Sequence, residues 1–243
     1  MSRICIVIPC YNEHNRILGD DFLTFLNNHN NFSFVFVDDG STDETYSVLE
    51  KLSAQHERIS SYQLNKNKGK ASAVRLGIEK MIQENFSHYG FIDADLAIPL
   101  DELERLYTEI KAEKIGFVYA SKNAKLNTEL EMKFKRFLVG RILAKMVRWS
   151  LKIEVYDTQC GCKIMTKEIA EITFKDKFIS SWLFDIEIFW RLINAFGVDY
   201  IAENTREIPL QKLLNRGSSK VNVFDLIKLP MEFYRIHQFY KVK

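Results

Sequence analysis

Short apolar runs that end in charged turns, each followed by a helical pattern, recur through the first half of this chain and restrict its fold more than any other feature. Residues 3–8 (Arg-Ile-Cys-Ile-Val-Ile) are almost continuously apolar, as expected of a parallel strand covered on both faces. The run is expected to stop at Pro9, which cannot donate to a ladder. A helical pattern follows, with Ile17, Leu18, Phe22 and Leu26 on one face. Phe32 to Val37 reads as a second strand and ends in Asp38-Asp39-Gly40-Ser41-Thr42-Asp43. Ser41 and Glu44 have the spacing of a capping box for the next helix, which carries Val48, Leu49 and Leu52. A third strand, Ile59 to Leu64, leads through Asn65-Lys66-Asn67-Lys68-Gly69-Lys70 into a helix with Ala71, Val74, Ile78 and Met81 on one side. The apolar stretch Tyr89 to Ile92 then delivers Asp93 and Asp95. Strands alternating with helices predict an α/β domain with a mostly parallel central sheet and helices on both faces. Ligands of such sheets bind at the carboxyl ends of the strands, where the charged turns collect.

Strand alternation would turn Asp93 and Asp95 to the same side, about 6–7 Å apart. Two anions so placed repel unless a cation lies between them. A hard divalent ion, held by one or two carboxylates together with substrate phosphates, resolves the repulsion. The alternative is a strand-end turn with two solvated carboxylates. Lys68-Gly69-Lys70 at a helix N-terminus suits a phosphate, because free backbone N–H groups and the positive end of the helix dipole converge there. The full Gly-x-x-x-x-Gly-Lys-Ser/Thr spacing of a P-loop is missing, which argues against a nucleotide triphosphatase.

The chain of 243 residues can bury a large core as one domain. The division expected is a domain over 1–215 and a basic amphipathic C-terminal segment over 216–243. Its overall charge of +2 conceals an uneven distribution. From Lys122 to Lys152, nine Lys/Arg face two Glu, a local +7; from Arg216 to Lys243, six face two acidic residues, a local +4, which leaves −9 for the remainder. Cys5, Cys10, Cys160 and Cys162 lack zinc-site spacing and are expected as reduced thiols in the cytoplasm. No apolar run approaches the ~18 residues that cross a bilayer, so any membrane contact is expected to be peripheral. Nucleic-acid binding is disfavoured, since no recognised motif accompanies the basic segments and the first half is acidic.

Four motifs in order, Pro9-Cys-Tyr-Asn-Glu13, Asp38-Asp-Gly-Ser-Thr-Asp43, Asn67-Lys-Gly-Lys-Ala-Ser-Ala-Val-Arg75 and Asp93-Ala-Asp95, resemble the signature series of the family 2 glycosyltransferases. Asp157-Thr-Gln-Cys-Gly-Cys-Lys163, Trp182-Leu-Phe-Asp-Ile-Glu187 and Gly217-Ser-Ser-Lys220-Val221 are similar to the dolichyl-phosphate β-glucosyltransferases and their bacterial polyprenyl-phosphate relatives. The resemblance implies a single GT-A domain and an inverting hexosyltransferase. The favoured donor is UDP-glucose and the favoured acceptor a polyprenyl or dolichyl phosphate; transfer to a saccharide hydroxyl is the alternative. It further implies that Pro9, Tyr11, Glu13, Asp38, Asp39, Lys70 and Ala94 bind the nucleotide sugar, with Asp38 or Asp39 accepting the imide N–H of uracil. Asp95, with Asp93, would hold Mg²⁺ or Mn²⁺. Arg136, Arg141 and Lys163 fall where those relatives hold the acceptor phosphate, and Arg216 and Lys220 where a segment closes on the donor. The mannosyl-type enzymes continue the metal motif to a Gln, whereas this chain has Ala97, which favours the glucosyl branch. A phosphate acceptor needs cations more than a general base, so Asp185 and Glu187 are expected to anchor loops or cations.

Two segments also fit a membrane surface. Leu138, Ile142, Met146 and Trp149 fall at helical spacing beside Arg141, Lys145, Arg148 and Lys152, and the tail sets Leu226, Leu229, Phe233, Tyr234 and Phe239 beside Lys228, Arg235 and Lys241. Either apolar face could equally pack on the core. The expected location is the cytoplasm, with peripheral contact on the cytoplasmic face of the membrane. A binding module that keeps the nucleotide fold without catalysis is the competing class.

Overall fold

The computed structural model describes residues 2–122, 145–214 and 223–241. In chain order these form β1 (Ile4–Cys10), α1 (Gly19–Asn28), β2 (Phe32–Asp38), α2 (Thr45–Ser53), β3 (Ile59–Gln63), α3 (Lys70–Met81), β4 (His88–Ile92), α4 (Leu100–Glu113) and β5 (Phe117–Ser121). Residues 145–151 are helical (α5). They are followed by β6 (Cys162–Thr166), α6 (Lys167–Phe174), α7 (Phe184–Phe196), α8 (Val198–Asn204), β7 (Thr205–Pro209) and α9 (Val223–Lys241).

The strands form one sheet in the order β3-β2-β1-β4-β6-β5-β7. Every pairing is parallel except those of β6, which runs antiparallel to both β4 and β5. Period-two alternation sends residues to opposite faces. Ile4, Ile6 and Ile8 of β1, with Phe34 and Phe36 of β2, pack beneath α1, α2 and α4. Cys5 and Val7, with Val35 and Val37, face α3, α6 and α7. Helices therefore cover both faces, as the near-continuous apolar strands demand. Pro9 does not end β1 as expected; it pairs with Val37 inside the strand. The β4 ladder reaches only Ile4 to Val7, so Pro9 lies beyond it and removes none of its hydrogen bonds.

The two basic segments differ from their sequence reading where they are described. On α5 the buried residues are Val147, Ser150 and Leu151, while Trp149 faces outward. On α9 Phe233, Ile236 and Tyr240 face the core, and Tyr234 and Phe239 are exposed. The expected stripes are thus rotated, because the core takes the residues at 147/151 and 233/236/240, which repeat at helical spacing on the inward side. Leu138, Ile142 and Leu226 lie outside the residues whose side chains are described.

Phe22 illustrates how the lower layer is held. Its ring is fully buried and meets Phe34 and Phe36 edge-on at centroid distances of 5.1 and 5.0 Å. Phe22→Ala should lower stability by about 3–5 kcal/mol in a urea titration, with the strand-end residues untouched.

Candidate active site

The ends of β1 and β2 lie side by side, with Cys10 opposite Asp38. The turns that leave them are joined by hydrogen bonds: the Asn12 N–H donates to Ser41 Oγ (2.9 Å), the Thr42 N–H to Asn12 Oδ1 (2.9 Å) and the Glu13 N–H to Thr45 Oγ1 (2.8 Å). Tyr11 lies exposed on the first turn, and the Glu13 carboxylate is 3.4 Å from Arg16. Ser41 does not cap α2. Its hydroxyl is turned back onto Asp38, Glu44 occupies the N-cap position, and Asp43 accepts the Thr45 N–H at 3.0 Å instead.

Asp38 and Asp39 both hold the scaffold. Asp38 is fully buried and accepts from the Ser41 N–H (3.1 Å) and from Gln63 Nε2 (2.9 Å). Asp39 accepts the N–H groups of Lys68 (2.8 Å) and Gly69 (2.7 Å), so it fixes the loop that opens α3. Burial pushes the Asp39 carboxyl above the usual carboxylate range, and those two N–H donors only partly offset it. Gly69 has φ +87°, and a Cβ there would overlap Ser181. The N-terminus of α3 therefore closes directly on the loop that precedes α7.

The Asp-x-Asp pair departs from its sequence reading. β4 ends at Ile92, so neither carboxylate stands on the pleat; both lie on the turn that follows, in which the Leu96 N–H reaches the Asp93 carbonyl at 3.3 Å and Leu96 has φ +47°. Asp93 Oδ1 meets Lys70 Nζ at 2.5 Å. Asp95 Oδ2 lies 3.4 Å from Arg16, and its Oδ1 accepts the Ala97 N–H at 3.0 Å. Each anion thus has its own cation, which relieves the repulsion expected between them. Burial pushes the Asp93 carboxyl up, but Lys70, Lys122 and Lys163 outweigh it and hold the group below the usual range. Burial likewise pulls the Lys70 ammonium down, yet Asp93 and Asp185 leave it above the ordinary lysine value. Ala94 is buried in the lower layer and contributes packing.

Because β6 is antiparallel, it starts where β4 ends, with Ile92 opposite Cys162 and Phe91 opposite Lys163. Gly161 is consequently pressed against Asp93, whose carboxylate a Cβ would overlap. The close approach that glycine permits in this Cys-Gly-Cys turn is made to Asp93. Lys163 is also corrected: it has no exposure, its Nζ donates to the Cys160 carbonyl at 2.6 Å, and it pairs with Asp185 Oδ1 at 2.7 Å. An enclosed, already paired ammonium offers no open charge to an acceptor phosphate. Burial pushes the Asp185 carboxyl up, with Lys163 and Lys70 pulling it back. Glu187 accepts the N–H groups of Ile179 (3.0 Å) and Ser180 (2.7 Å) and the Tyr240 hydroxyl (3.1 Å). Both acids anchor loops and cations, as expected.

Two contributors escape the sequence reading. Lys122 follows the last residue of β5, and its N–H donates to Asp157 at 3.1 Å. Burial pulls its ammonium down, while Cys160, Asp157 and Asp93 outweigh that and raise it. The strand-end rule that found Asp93 would have found Lys122 had β5 been traced. Glu102, buried on α4, accepts the N–H groups of Gln211 (3.1 Å) and Lys212 (3.0 Å), and the Leu214 N–H reaches the Ala97 carbonyl at 2.8 Å. These bonds hold residues 211–214 against α4 and the turn that carries Ala97. Arg136, Arg141, Arg216 and Lys220 lie outside the described residues.

Among the described residues no group of three or more His, Cys, Asp or Glu could by itself hold a metal ion. The side chains of Asp93 and Asp95 are 44% and 31% exposed at the sheet edge. That pair fits an ion such as Mg²⁺, which keeps waters and takes its other oxygens from substrate phosphates. Lys163 tests the packing behind them. Lys163→Ala should cost about 3–5 kcal/mol in a urea titration by leaving Asp185 buried without its cation, whereas the pair Lys163→Met/Asp185→Leu should recover most of the loss.

Residues 5–173 match the family model "Glycosyl transferase family 2". The dolichyl-phosphate beta-glucosyltransferase of Dictyostelium discoideum is 27% identical over 249 residues, covering 95% of this chain and 74% of that protein. The Saccharomyces cerevisiae enzyme of the same name is 29% identical over 261 residues, covering 98% and 75%. Among solved structures, glucosyl-3-phosphoglycerate synthase from Mycobacterium tuberculosis, in complex with Mn²⁺, UDP-glucose and phosphoglyceric acid, superposes with a TM-score of 0.66 at 16% identity over 98% of this chain and 80% of that one. Mannosyl-3-phosphoglycerate synthase from Rubrobacter xylanophilus gives 0.64 at 15% identity, covering 97% and 72%. The strand-end carboxylates, the mostly parallel sheet and these matches converge: the chain belongs to glycosyl transferase family 2, with a GT-A fold.

Proposed function

We propose that this glycosyltransferase is an inverting enzyme that moves glucose from UDP-glucose to a polyprenyl phosphate. The observation that carries the reading is the division of charge at the site. The nearby acids Asp185 and Glu187 are enclosed and engaged, by Lys163 and by the 179–180 backbone, while Lys70 and Lys122 gather at the Asp93 turn. A saccharide hydroxyl would have to lose its proton to a base during attack. A phosphate monoester, with a second pKa of about 6, is already largely dianionic at neutral pH and asks only for cations. The names of the relatives above agree with such an acceptor, and the Mn²⁺ and UDP-glucose of the mycobacterial complex agree with the donor.

In this mechanism the turns after β1 and β2, with Pro9, Tyr11 and Glu13 beside them, hold the nucleoside. Asp39, slightly exposed where Asp38 is fully enclosed, receives the uracil imide N–H. Asp95 and Asp93 would hold Mg²⁺ or Mn²⁺, which when bound takes up charge developing on the departing diphosphate. Lys70 holds Asp93 in place and adds positive charge beside the free N–H groups of the α3 N-terminus. Lys122, together with Arg136 and Arg141, orients the acceptor phosphate, and Arg216 and Lys220 close over the donor. A lipid phosphate is presented at a bilayer, so the reading includes a cytoplasmic enzyme in peripheral contact with the membrane.

The test offers UDP-glucose and Mg²⁺ with either a polyprenyl phosphate or an oligosaccharide, and follows UDP release and the glucosylated product. Release of UDP coupled to the lipid phosphate alone is expected; transfer to the oligosaccharide at an equal rate would overturn the reading. Lys122→Ala should raise the KM for the lipid phosphate about tenfold or more, the equivalent of one lost charge-assisted hydrogen bond, with the KM for UDP-glucose little changed.

A further inference from the structure

Large apolar side chains remain in water on one outer face made by two helices. Trp149 of α5 is 72% exposed, and Met231 and Tyr234 of α9 are 69% and 61% exposed. Phe239 adds a ring that is 47% exposed. Single exposed apolar groups are ordinary, but a contiguous set marks a contact surface. Helical spacing makes these contiguous. Met231, Arg235 and Phe239 are successive neighbours four apart, and Tyr234 lies three from Met231. Trp149 stacks on His237 at 5.4 Å, one turn from both Tyr234 and Lys241. The Ser150 Oγ to His237 Nδ1 hydrogen bond (2.7 Å) locks the two helices together, so the face is a fixed feature.

The charge on the same helices points to the occupant. Residues 145–152 and 229–241 carry Lys145, Arg148, Lys152, Arg235 and Lys241 against the single carboxylate of Glu232. Glu232 accepts the Ser180 hydroxyl and is drawn toward the protein. Exposed aromatics bordered by cations suit the headgroup region of an anionic bilayer, where rings enter the interface and the basic side chains remain among phosphates.

We infer that this α5–α9 face docks on an anionic lipid surface and sets the active site against it. The inference rests on the reading of a lipid-phosphate acceptor and deepens it by naming the surface. The face adjoins the site directly. Ser180, bonded to Glu232, begins the loop that carries Trp182, 41% exposed, and Ser181, which packs on Gly69 at the start of α3. A bilayer seated on α9 would therefore present its phosphates beside the mouth formed by that loop and the Asp93 turn.

Co-sedimentation of the full chain with vesicles of phosphatidylcholine and phosphatidylglycerol in equal parts tests this. The wild type should pellet with these vesicles and remain in solution with pure phosphatidylcholine. The variant Trp149→Ser/Met231→Ser/Tyr234→Ser, and separately Arg235→Glu/Lys241→Glu, should each lower the partition coefficient about tenfold or more. Both variants should keep the wild-type melting temperature within a few degrees and should still glucosylate a short-chain, water-soluble prenyl phosphate. Equal partition of wild type and variants, or no preference for the anionic vesicles, would overturn the proposal. It would also be overturned if the wild type ignores vesicles and is instead a dimer that the serine variant converts to monomer, or binds an acidic protein through this face. Should vesicle binding follow the prediction while no prenyl phosphate is glucosylated, the acceptor reading fails and the surface stands. Should glucosylation proceed without vesicle binding, the surface fails and the acceptor reading stands.

Discussion

The contact between Lys70 and Asp93 is the constraint on which the site depends. It joins the first residue of α3 to the turn after β4, and both groups are held in their charged forms by one another. Beside it is a second, enclosed pair, Lys163 with Asp185, and the Lys70 and Lys163 ammonium groups lie 5.5 and 5.4 Å from the centroid of the Phe91 ring. Oppositely charged side chains alternate from the protein interior to the sheet edge. Removing one member of the inner pair would leave a buried charge without its partner, which costs far more than a surface pair ever contributes. The antiparallel β6 is what makes this possible, because a strand entering beside the end of β4 brings Gly161 and Lys163 against Asp93 and Phe91.

In the proposed reaction, this arrangement would let one edge of an α/β sheet treat two anionic substrates differently. The outer pair is part exposed and stands where a nucleoside diphosphate and its metal ion would arrive. The inner pair is closed and supplies a fixed electrostatic background. Asp185 is bound inside and Glu187 is engaged by the 179–180 backbone, so these two acids serve positioning, while Lys70 and Lys122 gather at the Asp93 turn. A site so divided favours an acceptor that arrives already ionised. The same economy reaches the rim, where Glu187 ties the 179–180 backbone to the Tyr240 hydroxyl of α9 and so joins the outer helices to the loop over α3.

Much of this was legible in the sequence, for a physical reason. Buried parallel strands must be apolar throughout, so their charged ends are conspicuous, and Asp38, Asp39, Lys70 and Asp93 lie at strand ends or the adjoining helix start, as read. Local spacing alone misled where a tertiary partner competed. Ser41 had the right offset for a capping box, but its hydroxyl donates to Asp38 and accepts the Asn12 N–H. Lys163 matched a cationic motif position, yet only the pairing of β6 with β4 reveals that its charge is spent on Asp185. The helical stripes on α5 and α9 were visible as amphipathic, but their rotation depends on which residues the core accepts, and Val147 and Ile236 were taken in preference to Trp149 and Tyr234. Lys122 was hidden because β5 and its end were not traced as a strand in the basic middle of the chain.

The central claim is that the strand-end carboxylates form half of a metal site whose other half is the nucleotide diphosphate. Calorimetric titration of Mn²⁺ into the protein, with and without UDP, tests it most directly, in the wild type and in Asp95→Asn. Mn²⁺ should bind at least about tenfold more tightly when UDP is present, and that coupling should vanish in Asp95→Asn while the melting temperature is retained. Equal Mn²⁺ affinity with and without UDP, or undiminished coupling in Asp95→Asn, would contradict the account.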